Sequence, residues 1–291
     1  MKRIVSGVSS AGRGIRTVLS PTGVRGTAVE LAWLAAHVAT YPFGVTQERA
    51  RRAEERFTLN GLPPVRRGLL IGDVEAAGTP ILLVHGMVDN RSVFTLLRRA
   101  LRRRGFGRIA TMNYHVLTHD VRAAARRLGA TVEAICEETG YERIHVIGHS
   151  MGGVVARYYV QRMGGDARVH TLVTLGSPHE GTRAAHLLPG GVCRQLTPSS
   201  DIVAELAAPA PQCRTRFVAF WSDLDALISP KRAARIEHPD LIARNVFVPR
   251  VGHMSLPIDR RVTHEIASTL AQLYSAGDPS AGMRHLRAAS G

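Results

Sequence analysis

Ile144-His145-Val146-Ile147-Gly148-His149-Ser150-Met151-Gly152-Gly153 is the stretch on which the reading of this 291-residue chain turns. An apolar run of strand length enters the pattern G-x-S-x-G, and small residues then open a helical stretch, Gly152 to Met163. Such a turn is so tight that its serine must take strained backbone angles, and glycines at both flanks are needed to avoid clashes. The serine hydroxyl is thereby pushed out of the fold. At a helix N-terminus it also meets a positive local potential, which favours negative charge developing beside it.

Outward from this turn, short apolar runs alternate with helical stretches, as in a mostly parallel sheet covered on both faces. Strands are predicted at Ile81 to Val84, Ile109 to Asn113, Ile144 to Gly148, Val169 to Leu175, Phe217 to Trp221 and Asn245 to Val248. Helices are predicted at Val93 to Arg104, Asp120 to Glu138, Gly152 to Met163 and Arg261 to Tyr274. The expectation is an α/β fold of about six or more strands.

In open sheets of this type a site forms at the carboxyl ends of the strands. Three positions there carry reactive chemistry. Ser150 is the first. The second is Leu83-Val84-His85-Gly86-Met87, where the backbone N–H of Met87 can pair with that of Met151 to bind an oxyanion; His85 can also simply hold its own loop. The third is a base with its orienting acid, expected in the chain order serine, acid, histidine.

Of thirteen histidines, His253 in Val251-Gly252-His253-Met254 is placed best, on a loop between the final strand and the last helix. His149 lies inside the turn and is expected to point away from the reacting atom. His119, His170, His179, His186, His238 and His264 read as surface, connector or helix residues. For the acid, Asp223 and Asp225 both follow the strand Phe217 to Trp221. Asp225 is preferred, because the apolar turn after it allows burial against His253, and Asp223 would then cap the turn.

In these motifs the chain resembles the small bacterial lipases and esterases of the α/β-hydrolase superfamily. The resemblance covers about residues 80 to 275. It rests on His85-Gly86, on Gly148 to Gly153, on Leu175-Gly176-Ser177-Pro178-His179-Glu180-Gly181-Thr182, on Trp221-Ser222 ahead of Asp225, and on Gly252-His253-Met254. It implies that Ser150 is acylated, that His253 relays its proton, that Asp225 orients His253, and that Met87 and Met151 supply the oxyanion hole. It further implies hydrolysis of carboxylic esters of lipids with neither metal nor organic cofactor. His85, Val88, Phe94, Leu187, Leu188 and Leu256 are the candidates for the substrate pocket. The segment Arg183 to Arg214, where larger lipases carry a helical lid, is short and rich in Pro and Ala, so a large lid is not expected.

Composition frames these assignments. The net charge of +15 is carried almost wholly by arginine, with Lys2 and Lys231 the only lysines. Spread along the whole chain, that bias reads as solvated helix faces more than as a dedicated patch, although Arg98-Arg99 and Arg102-Arg103-Arg104 could meet an anionic surface. No helix-turn-helix, zinc-ligand spacing or aromatic-interleaved basic motif points to nucleic acid. Cys136, Cys193 and Cys213 are too few and scattered for a disulfide framework or metal site. Cys136 reads as a buried helix residue, and a bridge between Cys193 and Cys213 stays open.

The domain reading is a basic N-terminal segment over 1–60, a catalytic domain over 61–275 with a short insert at 183–214, and a tail over 276–291. Within the first, Ala28 to Tyr41 reads as an apolar helix that is short for a membrane span and carries Glu30 and His37. Packing on the catalytic domain is preferred for it over lying in a membrane interface. Leu59 to Gly78 reads as a short strand or connector. A cytoplasmic or peripherally membrane-associated location is favoured, with secretion left open. Besides lipid or acyl-ester hydrolysis, the alternatives are a membrane-associated lipid deacylase, an acyltransferase, and a membrane-associated scaffold that kept the fold without turnover.

Overall fold

The computed structural model describes residues 74–86, 91–112, 120–187 and 190–272. The segment 1–60, with the helix predicted at Ala28 to Tyr41, and the tail lie outside these residues. The described residues begin with a five-residue helix, α1 (Val74–Gly78), where the sequence suggested a short strand or connector. Six strands follow: β1 (Ile81–Val84), β2 (Ile109–Met112), β3 (Ile144–His149), β4 (Val169–Leu175), β5 (Arg216–Trp221) and β6 (Ile242–Phe247). Every pairing is parallel, in the order β2-β1-β3-β4-β5-β6.

Strand order reverses between β1 and β3, so crossovers leave in opposite directions there, the arrangement beside which sheets of this type form a site at the strands' carboxyl ends. His85 and Ser150 stand at those two ends.

The apolar runs sort by the two-residue period of a strand. Leu82, Val84, Val146, Leu172, Phe217 and Ala219 face one layer, built from α3 (Val121–Thr139) and α4 (Met151–Arg162). Ile81, Leu83, Ile147, Val173, Val218 and Phe220 face the other, built from α2 (Thr95–Arg103) and α7 (Arg260–Leu270). Each fully buried Leu, Ile or Val in these layers stabilises the fold by about 1.5–3 kcal/mol relative to exposure.

Helix ends follow their capping residues. The Asp120 carboxylate accepts from the N–H of Arg122 and Ala123, and Gly140, at φ 72°, closes α3 in the left-handed conformation that glycine takes without strain. Asp259 caps α7 through Arg261 and Val262.

Boundaries differ from the sequence reading at β6, at the helix predicted from Val93, and at the last helix, which the sequence carries to Tyr274 and which ends at Leu270. β6 begins at Ile242, three residues early, because this edge strand is largely exposed and mixes Arg244 and Asn245 into its apolar pattern. The helix predicted from Val93 divides into a 3-10 turn, Arg91–Phe94, and α2.

The insert between β4 and β5 holds a 3-10 turn (Arg183–Leu187) and two short helices, α5 (Gly191–Gln195) and α6 (Asp201–Ala207). Arg122 of α3 reaches across to Asp201 at 2.7 Å and also pairs with Glu205, tying the insert to the sheet's cover. Cys136 is buried, as read, and no disulfide joins Cys193 to Cys213. Among the described residues no helix is long and apolar enough to cross a membrane.

Candidate active site

Ser150 stands at the N-cap of α4 with φ 55° and ψ −128°. For a residue with a Cβ this is strained backbone, costing on the order of 1–3 kcal/mol, and it persists only where the surroundings over-determine it. Here they do. The Ser150 N–H donates to the carbonyl of Leu175 at the end of β4 (2.9 Å), and the Ser150 carbonyl accepts from Gly153 (3.1 Å).

The flanking glycines are needed for space. A Cβ on Gly148 would stand 2.5 Å from the backbone of Gly153, and one on Gly152 would stand 2.3 Å from the carbonyl oxygen of Val84. The turn is thus pressed against the end of β1, where His85 is buried and donates from Nδ1 to the Gly86 carbonyl (2.8 Å).

His253 and Asp225 meet on the other side of β4. The imidazole Nδ1 lies 2.9 Å from Asp225 Oδ2, and both side chains are about 1% exposed. The second carboxylate oxygen, Oδ1, accepts from the N–H of Leu227 (3.0 Å) and Ile228 (3.2 Å), so the carboxylate is held from both ends. Asp223 faces elsewhere, its Oδ1 accepting from the N–H of Arg250 at 2.7 Å.

Gly176 joins the two halves of the site. It follows Leu175, which holds Ser150, and its N–H donates to Phe220 (3.0 Å). A Cβ there would lie 2.7 Å from Asp225 Oδ2, 2.9 Å from Leu256 Cδ1 and 3.1 Å from His253 Nδ1.

Of the remaining predicted positions, Met151 is buried at the first turn of α4. Met87, Val88 and Leu188 lie outside the described residues, and Leu187 closes a 3-10 turn. Phe94 packs fully inside the layer of α2 and α7, while Leu256, in the same cluster, touches the space beside Gly176.

His179, read as a surface, connector or helix residue, is buried, with Nε2 2.9 Å from the Thr174 hydroxyl. Its burial and the nearby Arg157 guanidinium hold its pKa well below the ordinary value. His149 proves to have a structural duty that the sequence does not announce: its Nε2–H donates to the His253 carbonyl at 3.1 Å, and the two rings lie 4.8 Å apart. Among the described residues no three His, Cys, Asp or Glu side chains gather as a metal site requires.

The stretch from residue 80 to 225, half of the chain, matches the palmitoyl protein thioesterase family. The chain belongs to the palmitoyl protein thioesterase family. As a palmitoyl protein thioesterase family member with an α/β-hydrolase fold, it is a carboxylic ester hydrolase. The family match begins at β1 and ends at Asp225, so His253 stands beyond it and is tied to it by the Asp225 contact.

Solved structures agree in fold. The mature lipase BlEst2 of Bacillus licheniformis superposes with a TM-score of 0.57 at 16% identity, over 67% of this chain and 92% of its own. Lipase B of Aspergillus fumigatus gives 0.61 at 14% identity, over 69% and 54%. A monoacylglycerol lipase of Paleococcus ferrophilus gives 0.50 at 14%, over 68% and 97%.

Proposed function

We propose that this palmitoyl protein thioesterase family member hydrolyses fatty acyl esters or thioesters through an acyl-enzyme on Ser150. The observation that carries this reading is the buried His253–Asp225 pair at 2.9 Å, together with a serine held in strained backbone at a helix N-terminus.

In the proposed cycle, His253 takes the proton of the Ser150 hydroxyl as the oxygen attacks the acyl carbonyl carbon. Asp225 keeps the imidazole in the tautomer with hydrogen on Nδ1 and stabilises the imidazolium that forms. The carbonyl oxygen becomes an oxyanion, for which the N–H of Met151 and that of Met87 are the assigned donors. Removing one such donor costs about a hundredfold or more in turnover. Collapse of the intermediate breaks the bond to the alcohol or thiol, which leaves with the proton from His253. Water then attacks the acyl-enzyme with His253 again as base, releasing the fatty acid and restoring Ser150.

The family match supports a long acyl chain and adds a thioester to the oxygen esters that the sequence motifs suggest. The net charge of +15 and the apolar Ala28 to Tyr41 stretch of the sequence fit a substrate presented at a membrane, through peripheral contact of the N-terminal segment.

The test is hydrolysis of p-nitrophenyl esters from acetyl to palmitoyl, and of a palmitoyl thioester, by the wild type and by Ser150→Ala. Expected are a preference for long chains in the wild type and a loss of about a thousandfold or more in the variant. Equal rates in the two proteins would overturn the mechanism and favour the scaffold alternative.

A further inference from the structure

The aim of the Asp225 carboxylate depends on the main chain that follows it. Asp225 Oδ1 is fixed by the N–H groups of Leu227 and Ile228, so any displacement of residues 227–229 carries the carboxylate with it and changes the angle at which Oδ2 meets His253. That short loop is held from outside by one side chain. The Thr182 hydroxyl donates to the carbonyl of Leu227 (2.8 Å) and accepts from the N–H of Ser229 (2.9 Å) and, more loosely, of Ala184 (3.3 Å).

A hydroxyl offers one proton and two lone pairs. All three are engaged here, and the residue is buried at 6% exposure. Beside it, the N–H of Arg183 donates to the Ser229 carbonyl at 2.8 Å, and from the far side Lys231 Nζ donates to the main-chain oxygen of Asp225.

Thr182 in turn stands on the loop that leaves β4. Its own N–H donates to the Leu196 carbonyl (2.8 Å), and Glu180 N–H donates to Ala233 (3.1 Å), so the loop is anchored at both sides. At its start sits Gly176, against which the Asp225–His253 pair is packed. The segment from Gly176 to Thr182 therefore touches the pair at its beginning and holds the acid's loop at its end.

We propose that Thr182 is a positioning residue for the reaction: its hydroxyl, bridging Leu227 and Ser229, fixes the loop that aims Asp225 at His253. It touches neither substrate nor the reacting atoms and acts through Asp225 alone. The inference rests on the triad reading above, and the experiment separates the two.

Thr182→Val keeps the shape and removes both hydrogen-bonding roles, leaving the part-buried Leu227 carbonyl and Ser229 N–H without this partner. Thr182→Ser keeps the hydroxyl. Steady-state hydrolysis of a p-nitrophenyl ester is measured for both, for Asp225→Asn, and for the double variant that combines Thr182→Val with Asp225→Asn. Active sites are counted by titration with a fluorophosphonate. Misplacement of a catalytic group by about 1 Å costs up to about a hundredfold.

The expected result is a fall in kcat of about ten- to hundredfold in Thr182→Val with KM within about twofold, recovery to within about threefold in Thr182→Ser, and little further loss when Thr182→Val is added to Asp225→Asn. Full activity of Thr182→Val beside an inactive Asp225→Asn overturns the proposal and leaves the triad standing. Losses that multiply in the double variant also overturn it, because they describe a general structural role. An active Asp225→Asn overturns the triad itself. If Thr182→Val does not fold, Thr182→Ala, which opens space in place of a methyl group, is read in the same way.

Discussion

The Nε2–H of His149, the residue immediately before Ser150, donates to the main-chain oxygen of His253 at 3.1 Å, and its ring lies 4.8 Å from the His253 ring. The nucleophile turn and the base loop, 104 residues apart in sequence, are thus joined by a buried hydrogen bond. A net contribution of about 0.5–1.5 kcal/mol is usual for such a bond. His149→Leu removes the donor, and kcat/KM for a p-nitrophenyl ester is expected to fall about tenfold, since the loop carrying His253 loses its hydrogen bond to the residue next to Ser150. Unchanged kcat/KM would show that the contact does not position the base.

Gly176 packs directly against the acid–base pair. With φ 56° and a virtual Cβ 2.7 Å from Asp225 Oδ2, Gly176→Ala brings both backbone strain and a direct clash with the acid–base pair. Turnover is expected to drop by about a hundredfold or more, as for a misplacement of roughly 1 Å at a catalytic group. Far-ultraviolet circular dichroism should stay near that of the wild type, and the kinetic measurement decides the matter: a variant with normal kcat contradicts the packing described.

Two histidines outside the reacting centre set an acid limit on stability. His145 and His179 are fully buried, and burial first, with neighbouring cations second, holds both pKa values well below 6.5. A folded-state pKa below the unfolded one means that the unfolded chain binds more protons as pH falls through about 6.5. Stability is therefore complete above that pH and declines below it, by up to about 1.4 kcal/mol per pH unit for each histidine. The depressed carboxyl groups Asp120, Asp201, Glu205 and Asp259 act only at lower pH, near and below the ordinary carboxylate range. Urea denaturation at pH 7.5 and pH 5.5 should show the loss, and His145→Phe should reduce it; equal midpoints at the two pH values contradict the assignment.

The sheet and its switch point are legible in the sequence because buried parallel strands are nearly continuous apolar runs, and because G-x-S-x-G after such a run admits few other geometries. The same pattern places β6 three residues late for the complementary reason, since an exposed edge strand has no need of an unbroken apolar run. Asp225 can be preferred over Asp223 from the apolar Ala226, Leu227 and Ile228 that follow it. The burial of His179 is hidden by its polar and turn-forming neighbours, Pro178, Glu180 and Gly181. Thr182 and His149 owe their contacts to partners 45 and 104 residues away, and no local pattern encodes such pairings. The stretch Leu175 to Thr182 stands out in the sequence as a motif, but only the fold gives each of its residues a role.

The central claim is a covalent acyl-enzyme on Ser150, and it is tested most directly by intact-mass spectrometry after exposure to a fluorophosphonate, followed by peptide mapping. The account predicts one adduct per chain in the wild type, on the peptide containing Gly148 to Gly153, and none in Ser150→Ala. An adduct of equal yield in Ser150→Ala, or one mapped to another residue, would contradict it.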